Sequence, residues 1–185
     1  MKKIGRILSL VLACLMLVSL SACAERDPNV PEGFLLAENE GADYYFYYPQ
    51  TWVLDRCDAG MTSAYVSETD FSNVSVTAFT ASMQYPSLLD YAENYYFTQF
   101  RDNFNNLTVD RNQDGSLKKS VLKIDECDAI AVNYRAAFYG EEYSFRVWMI
   151  SYNGYIYTVL YTAKTPLFET NLEMAEAVAT NLQFK

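Results

Sequence analysis

The chain has 185 residues, a net charge of −9 and no histidine. The acidity disfavours nucleic acid and anionic lipid headgroups as partners, since both require a basic surface. The lack of histidine excludes Ser-His-Asp and Cys-His catalysis and every histidine-ligated metal site. We therefore expect a protein that is not an enzyme, although two carboxylates that meet only in the fold stay open as a hydrolytic pair.

The N-terminal segment has the parts of a bacterial export signal. Lys2, Lys3 and Arg6 give it a positive start, and residues 7–20 are almost wholly apolar. That apolar run is too short to span a bilayer as a stable helix but suits a signal-peptide core. It ends in Leu20-Ser21-Ala22-Cys23, which resembles the lipobox of bacterial lipoproteins, whose cysteine is diacylated and becomes the first residue of the mature protein.

This resemblance predicts a signal peptide over 1–22, a lipidated Cys23 with a tether over 23–32, and a single domain over 33–185. We expect the protein to be lipid-anchored to the cell membrane and exposed on its extracytoplasmic side. The alternative is a secretory signal cut before Ala24, which would leave a soluble protein. Loss of the signal removes three cations and no acids, so the mature net charge becomes −12.

The sequence after Gly33 begins with patterns typical of β-structure. Two apolar runs, 34–36 and 44–48, flank the turn-forming Asn39-Glu40-Gly41 and predict a hairpin. Further strands are rich in β-branched or aromatic residues and are predicted over 53–57, 62–67 and 73–81.

A helix is predicted next, down to Asn105. Ser87, followed three residues later by Asp90, is typical of a helix start. Apolar side chains then recur at helical spacing, at Leu88, Ala92, Tyr95, Tyr96 and Phe100. After this helix the alternating pattern predicts four strands, at 116–125, 129–139, 143–152 and 155–163.

A second helix is predicted near the C-terminus, with Thr165 as N-cap and Pro166 at the first helical position. Its apolar stripe consists of Phe168, Leu172, Ala175, Ala179 and Leu182. Several strands are apolar on both faces, so the sheet needs cover on two sides. The sequence therefore predicts an α+β fold: a central antiparallel β-sheet with helices packed on both sides.

The order of these elements resembles the PsbP/Mog1-like superfamily. The motifs that carry the resemblance are Tyr47-Tyr48-Pro49 followed by Trp52, the helix start at 87–91, Asn153-Gly154-Tyr155 with Tyr157, and a closing helix ending in Phe184. Known members include an extrinsic photosystem subunit, a Ran-binding protein and many bacterial lipoproteins. The resemblance implies a sandwich of this type and an accessory or binding role, and it brings no catalytic residues with it.

One segment matches the first half of a calcium-binding loop. Asp110, Asn112 and Asp114 supply oxygen ligands at positions 1, 3 and 5, with Gly115 for the turn. Position 12 would be Val121, so the bidentate glutamate is missing. An Asx-rich β-turn explains the same residues, and we expect no cofactor unless weak calcium binding occurs here.

Two cysteines remain in the domain, Cys57 and Cys127. In an exported protein they could form a disulfide that closes a loop of about 70 residues. The alternative is a pair of unpaired thiols that act as small apolar side chains.

Tyrosine is the strongest compositional bias, with 16 residues. Tyr45, Tyr47 and Trp52 are the candidate binding surface, although tryptophan in this position also suits a core. We expect a protein-binding or assembly accessory module whose partner is another envelope or secreted protein. The alternative is a small-ligand or carbohydrate receptor, in which rings line a groove with a few convergent polar groups.

Overall fold

The main sheet accounts for eight of the eleven strands in the described part of the chain, which is residues 29–58, 60–80 and 85–185 of a computed structural model. The domain runs from Pro31 to Lys185. The predicted signal peptide and Cys23 lie outside the described residues, as does Ala81 of the strand predicted over 73–81. None of the helices in the described ranges is long and apolar enough to cross a membrane.

The eight strands pair antiparallel, in the order β3-β4-β5-β10-β9-β8-β6, with β7 also paired to β8. Their bounds are β3 Val53–Asp58, β4 Met61–Ser67, β5 Asp70–Thr80, β6 Asn105–Val109, β7 Lys119–Ile124, β8 Cys127–Phe138, β9 Glu141–Tyr152 and β10 Tyr155–Lys164. The predicted strands are confirmed within a few residues at each end. The pairing of β5 with β10 joins the residues that are farthest apart in the chain within this sheet.

A small second sheet contains the predicted N-terminal hairpin. It has the order β1-β2-β11, with β1 at Phe34–Ala37, β2 at Tyr44–Pro49 and β11 at Gln183–Phe184. The C-terminal pair of residues is therefore a strand, which corrects the prediction of a closing helix that ends in Phe184. Its backbone bonds to Tyr44 and Tyr45 replace the helical hydrogen bonds.

The first helix, α1, consists of an α-helical turn at Leu88–Tyr91, a π-helical turn at Ala92–Tyr96 and an α-helical end at Phe97–Asn103. The Ser87 hydroxyl accepts a hydrogen bond from the Asp90 amide at 3.1 Å, so the predicted cap is confirmed. Phe104 is extended and β6 begins at the next residue, so the helix is shorter than predicted.

The second helix, α2, spans Phe168–Thr180 and follows a 3₁₀ turn at Thr165–Leu167. The prediction of Thr165 as N-cap is wrong, because this residue is already inside the 3₁₀ turn and its hydroxyl pairs with that of Ser144 at 3.0 Å. The predicted apolar stripe is confirmed, with Phe168, Ala175 and Ala179 buried.

The central strands bury side chains on both faces, as their two-sided apolar pattern requires. On β8, Ala129 and Ala131 pack toward α2 and the small sheet, whereas Ile130 and Val132 pack toward α1. Two cores therefore lie on opposite faces of one sheet. This arrangement confirms the predicted α+β sandwich.

Three tight hairpins at the ends of β8, β9 and β7 place both central residues at positive φ. Asn153-Gly154 and Tyr139-Gly140 have glycine at the second position, as this turn type prefers. The third turn has Asp125-Glu126, with φ of 47° and 62°. Glu126 therefore adopts the left-handed conformation that costs a residue with a Cβ about 1–2 kcal/mol.

We predict that Glu126→Gly stabilises the domain, because glycine adopts this conformation without the steric cost. The expected gain in free energy of unfolding is about 0.5–1 kcal/mol after the greater entropy of the unfolded glycine chain is subtracted. Urea denaturation of the variant and the parent measures it. Gly154→Ala is the matched control and should lose a similar amount; equal stability of parent and Glu126→Gly contradicts the explanation.

Candidate functional site

An open groove lies beside α1, on the face of the sheet opposite α2. The helix covers β8 and β9 but leaves the neighbouring face of β10, β5 and β4 open. Two cavities of about 720 and 530 Å³ share Phe100, Phe104 and Leu160 and so form one continuous groove. We call it the aromatic groove, with a rim section, the larger cavity, and a helix section, the smaller one.

The helix section is built by the π-helical turn of α1. In a π turn each backbone hydrogen bond joins residues five positions apart. Tyr91 and Tyr96 are separated by five positions, and both are buried toward the sheet. Tyr96 exchanges a hydroxyl hydrogen bond with Tyr134 at 3.2 Å. The Tyr95 ring contacts the Tyr91 ring, with centroids 5.4 Å apart, and stays partly exposed.

Tyr91 places a buried hydroxyl group in the helix section. Its side chain is 3% exposed, and its hydroxyl has no hydrogen-bond partner among the described residues. Desolvation by burial, with the neighbouring Tyr95 and Tyr85 hydroxyls, raises the pKa of Tyr91 to about 12. The hydroxyl is thus both shielded from solvent and without a partner in the described part of the chain, which is uncommon for a buried polar group.

The floor of the helix section consists of small polar side chains. Ser75 and Thr77 come from β5, and Thr158 comes from β10. The hydroxyls of Thr77 and Thr158 are 2.8 Å apart and hydrogen-bond each other. Beneath α1 the larger side chains of Val147 and Met149 fill the space above the sheet. The small floor residues leave the corresponding space open.

The rim section lies at the end of the sheet where β5 begins and β8 and β10 end. Phe71 and Phe138 are 70% and 46% exposed and line it, and Phe138 contacts Phe104 at 5.8 Å between ring centroids. Two charged side chains line the same section. Lys164 pairs with Glu141 at 2.6 Å. Burial acts to raise the pKa of Asp70, but hydrogen bonds from Ser72 and Asn171 outweigh it and the pKa is lowered.

The lining is thus aromatic, with hydroxyls and a few charges, which suits binding of apolar or aromatic groups. Within the described ranges, no three histidine, cysteine or acidic side chains are grouped so that they could hold a metal ion. The groove supplies rings for contact and hydroxyls for orientation.

The predicted binding surface around Tyr45, Tyr47 and Trp52 is corrected by the structure. Tyr47 is 1% exposed and Trp52 is buried in the core on the α2 side, so neither can meet a partner. The Tyr47 ring packs beside Tyr45, and its hydroxyl donates to Gln183 at 3.4 Å. Only Tyr45 is accessible, at 37%, and the Lys185 ammonium lies 5.1 Å from the centre of its ring.

The candidate calcium ligands take part in an Asx-type turn. Asn112 donates to the Ser116 hydroxyl at 3.0 Å, and Asp114 accepts from the Ser116 amide at 2.9 Å. Asp110 instead lies 3.9 Å from the Arg135 guanidinium. The geometry is that of the alternative turn interpretation, and calcium binding at these residues stays a prediction.

The two cysteines are free thiols. The Cys57 thiol donates to the Glu38 carbonyl at 3.2 Å. Four strands separate β3, which carries Cys57, from β8, which begins at Cys127. Five interstrand steps of roughly 4.8 Å place them far beyond the approximately 7 Å Cα separation that a disulfide tolerates. The arrangement is therefore the pair of unpaired thiols, not the possible disulfide.

The aromatic groove was not predicted from the sequence. Tyr91 and Tyr95 share helical spacing and so signal one helix face, but their pattern is equally typical of core residues. The groove also needs β5 to lie next to β10, a pairing of residues about 80 positions apart. No local pattern carries that information.

Comparisons with known proteins bear on the fold. No family model matches the sequence, and no curated protein matches it. The structure is similar to cyanobacterial PsbP from Synechocystis sp. PCC 6803, with 12% identity, coverage of 90% of this chain and 99% of that chain, and a TM-score of 0.56. It is also similar to the Ran-binding protein Mog1p of Saccharomyces cerevisiae, with 5% identity, coverage of 82% and 95%, and a TM-score of 0.57.

A third similar structure is a Pseudomonas aeruginosa protein of unknown function, with 12% identity, coverage of 80% of this chain and 94% of that chain, and a TM-score of 0.54. These likenesses show the fold alone, because the identities are low. The chain has a PsbP/Mog1-like fold, as the sequence resemblance predicted.

We predict that two thiols react in the unfolded, unreduced protein that lacks residues 1–23. Cys57 and Cys127 are too far apart to pair, so both stay available to a thiol reagent. Spectrophotometric titration in denaturant counts them, and Cys57→Ser should reduce the count to one. A parent protein with no reactive thiol until a reductant is added contradicts the structure.

We predict that ionisation of Tyr91 contributes to alkaline unfolding. The folded state favours its neutral form, so the associated stability is complete below pH 10, the unfolded pKa, and is lost as the pH rises toward 12. Tyr91→Phe should lose less stability over this interval, by up to roughly 1.4 kcal/mol per pH unit. Denaturation at several pH values measures it. Phe71→Leu, a substitution without a titrating group, should keep the parent's slope.

Proposed function

We propose that this protein is a membrane-tethered lipoprotein, exposed on the extracytoplasmic side, whose domain acts as a non-enzymatic protein-binding or assembly accessory module. The lipid on Cys23 would be its anchor, and its partner would be another envelope or secreted protein. The proposal includes no cofactor and no nucleic acid.

The open aromatic groove is the observation that carries this proposal. Partner surfaces are enriched in partly exposed rings, because a ring supplies a large contact area at a small entropic cost. Tyr95 in the helix section is such a ring, and the half-buried Phe100 and Phe104 are shared by both sections of the groove. Its length across two connected sections suits an extended segment of a partner that presents apolar side chains.

The fold gives general support. Mog1p, a similar structure, is by its name a Ran-binding protein. A shared fold does not transfer a partner, since function resides in sites and not in folds. It does indicate that a sandwich of this fold can serve protein recognition.

A small-ligand or carbohydrate receptor is the second candidate. The volumes of about 720 and 530 Å³ fall in the range of small-molecule sites. The half-buried hydroxyls of Ser75 and Thr77 on the floor would orient such a ligand. A soluble ligand would then bind the purified domain in the absence of any partner protein.

We predict that Ser75→Arg strongly weakens capture of the partner, because a long charged side chain on the floor would fill the helix section. Pull-down from solubilised membranes with the lipidated protein, followed by titration of the captured protein, should show affinity weakened roughly tenfold or more. Ser151→Arg is the matched control, since Ser151 is an exposed strand serine that does not line the groove.

The two variants also separate the two candidates. Under the first, the parent and Ser151→Arg capture the same envelope or secreted protein and Ser75→Arg does not. Under the second, the parent binds a glycan or small molecule on an array, and Ser75→Arg loses that binding. Equal capture by both variants with intact folding contradicts the groove as the site, and turnover of a substrate contradicts the non-enzymatic role.

A further inference from the structure

Three exposed aromatic side chains lie at one end of the main sheet. Tyr139 is 93% exposed at the tip of the β8–β9 hairpin, and its ring contacts that of Phe138 at 4.3 Å between centroids. Phe71, at the start of β5, is exposed at the same end. We call these three residues the aromatic tip. Their exposure is unfavourable in water, which indicates a surface that meets something apolar.

The backbone at Tyr139 strengthens that argument. Its φ is +50°, in the left-handed region, where turns of this type favour asparagine or aspartate over a bulky ring. Tyr139 has no core contact in compensation, since almost its whole side chain faces solvent. A costly conformation and a costly exposure coincide at one residue, which is a pattern associated with function.

The strand registers show that the domain begins at this same end. Phe34 pairs with Pro49, and the Trp52 amide donates to the Pro49 carbonyl at 2.9 Å. The next residue, Val53, pairs with Tyr65, whose ring stacks on Phe71 at 5.8 Å. The start of β1 and the aromatic tip are therefore at one end of the domain, and the Asn153-Gly154 hairpin is at the other.

The length of chain before the domain sets how far this end can be from an anchor. Cys23 precedes Pro31 by eight residues, which span at most about 29 Å when fully extended. A lipid on Cys23 would thus keep the start of the domain within that distance of the bilayer. The end that carries the aromatic tip, where the domain begins, would therefore lie within reach of the bilayer.

We infer that the aromatic tip, formed by Phe71, Phe138 and Tyr139, inserts into the interfacial layer of the bilayer to which the protein is anchored. The inference rests on the proposed lipid anchor. Tyrosine suits this layer, because its ring is apolar and its hydroxyl reaches the headgroups. The anchor makes a weak contact effective by raising its local concentration.

The charged side chains near the aromatic tip disfavour contact with anionic lipids. Glu141, Glu142 and Asp70 lie near the tip, and Lys164 is already paired with Glu141. Anionic headgroups would be repelled, whereas zwitterionic headgroups would not. The contact is therefore with phosphatidylcholine-like or other neutral interfaces and depends on the rings.

The test uses a tryptophan reporter in the full lipidated protein, reconstituted on phosphatidylcholine vesicles with brominated acyl chains. In Tyr139→Trp the added emission should be quenched by the brominated lipid. The matched control is Tyr155→Trp, which places the reporter beside the hairpin at the other end of the sheet, where Tyr155 is 42% exposed. The control should show no such quenching, and the added emission of both variants is read against the parent.

The outcomes separate the inference from the proposed function. Vesicle cosedimentation that survives Cys23→Ser overturns the proposed anchor, and the inference with it. Cosedimentation that depends on Cys23, with equal quenching of both reporters or none, overturns the inference alone. Protection of the Tyr139→Trp reporter from an aqueous quencher without quenching by brominated lipid assigns the tip to a protein partner or a second copy, and also overturns it.

Discussion

The structure depends on one constraint: the central strands β8, β9 and β10 are apolar on both faces and need two covering layers. On one side α2 and the small sheet pack on the main sheet. On the other side α1 is the only helix among the described residues. A helix is about 10 Å wide and strands are spaced roughly 4.8 Å apart, so one helix covers about two strands. The aromatic groove is the part of the sheet that α1 is too narrow to cover.

The features of the fold that the sequence predicts are those set by residues close together in the chain. The cap at Ser87 and the stripe of α2 depend on neighbours a few residues away, and both were predicted. The pairing of β5 with β10 and the strand at Gln183–Phe184 depend on residues far apart in the chain. Those features, and the groove that results from the first, could not be predicted.

The failure at Tyr47 has the same origin. Alternation along β2 indicates that Tyr45 and Tyr47 share a face, and the structure agrees, but alternation does not tell what covers that face. Gln183, which reaches the Tyr47 hydroxyl, comes from the other end of the domain. The π-helical turn that follows Tyr91 is a further feature that the sequence pattern did not predict. It rotates the later rings of α1 relative to Tyr91, whereas a regular helical period assumes a constant rotation per residue.

The composition of the floor explains why the uncovered region is a groove and not an exposed core. Beneath α1 the sheet carries Val147 and Met149, whereas beyond the helix it carries Ser75, Thr77 and Thr158. The Thr77 and Thr158 hydroxyls hydrogen-bond each other, so both keep a partner while the groove is open to water. Larger apolar residues here would gain burial only if another layer covered them. The small polar floor thus keeps the domain stable with the groove open, and the rings along its edges remain available to a partner.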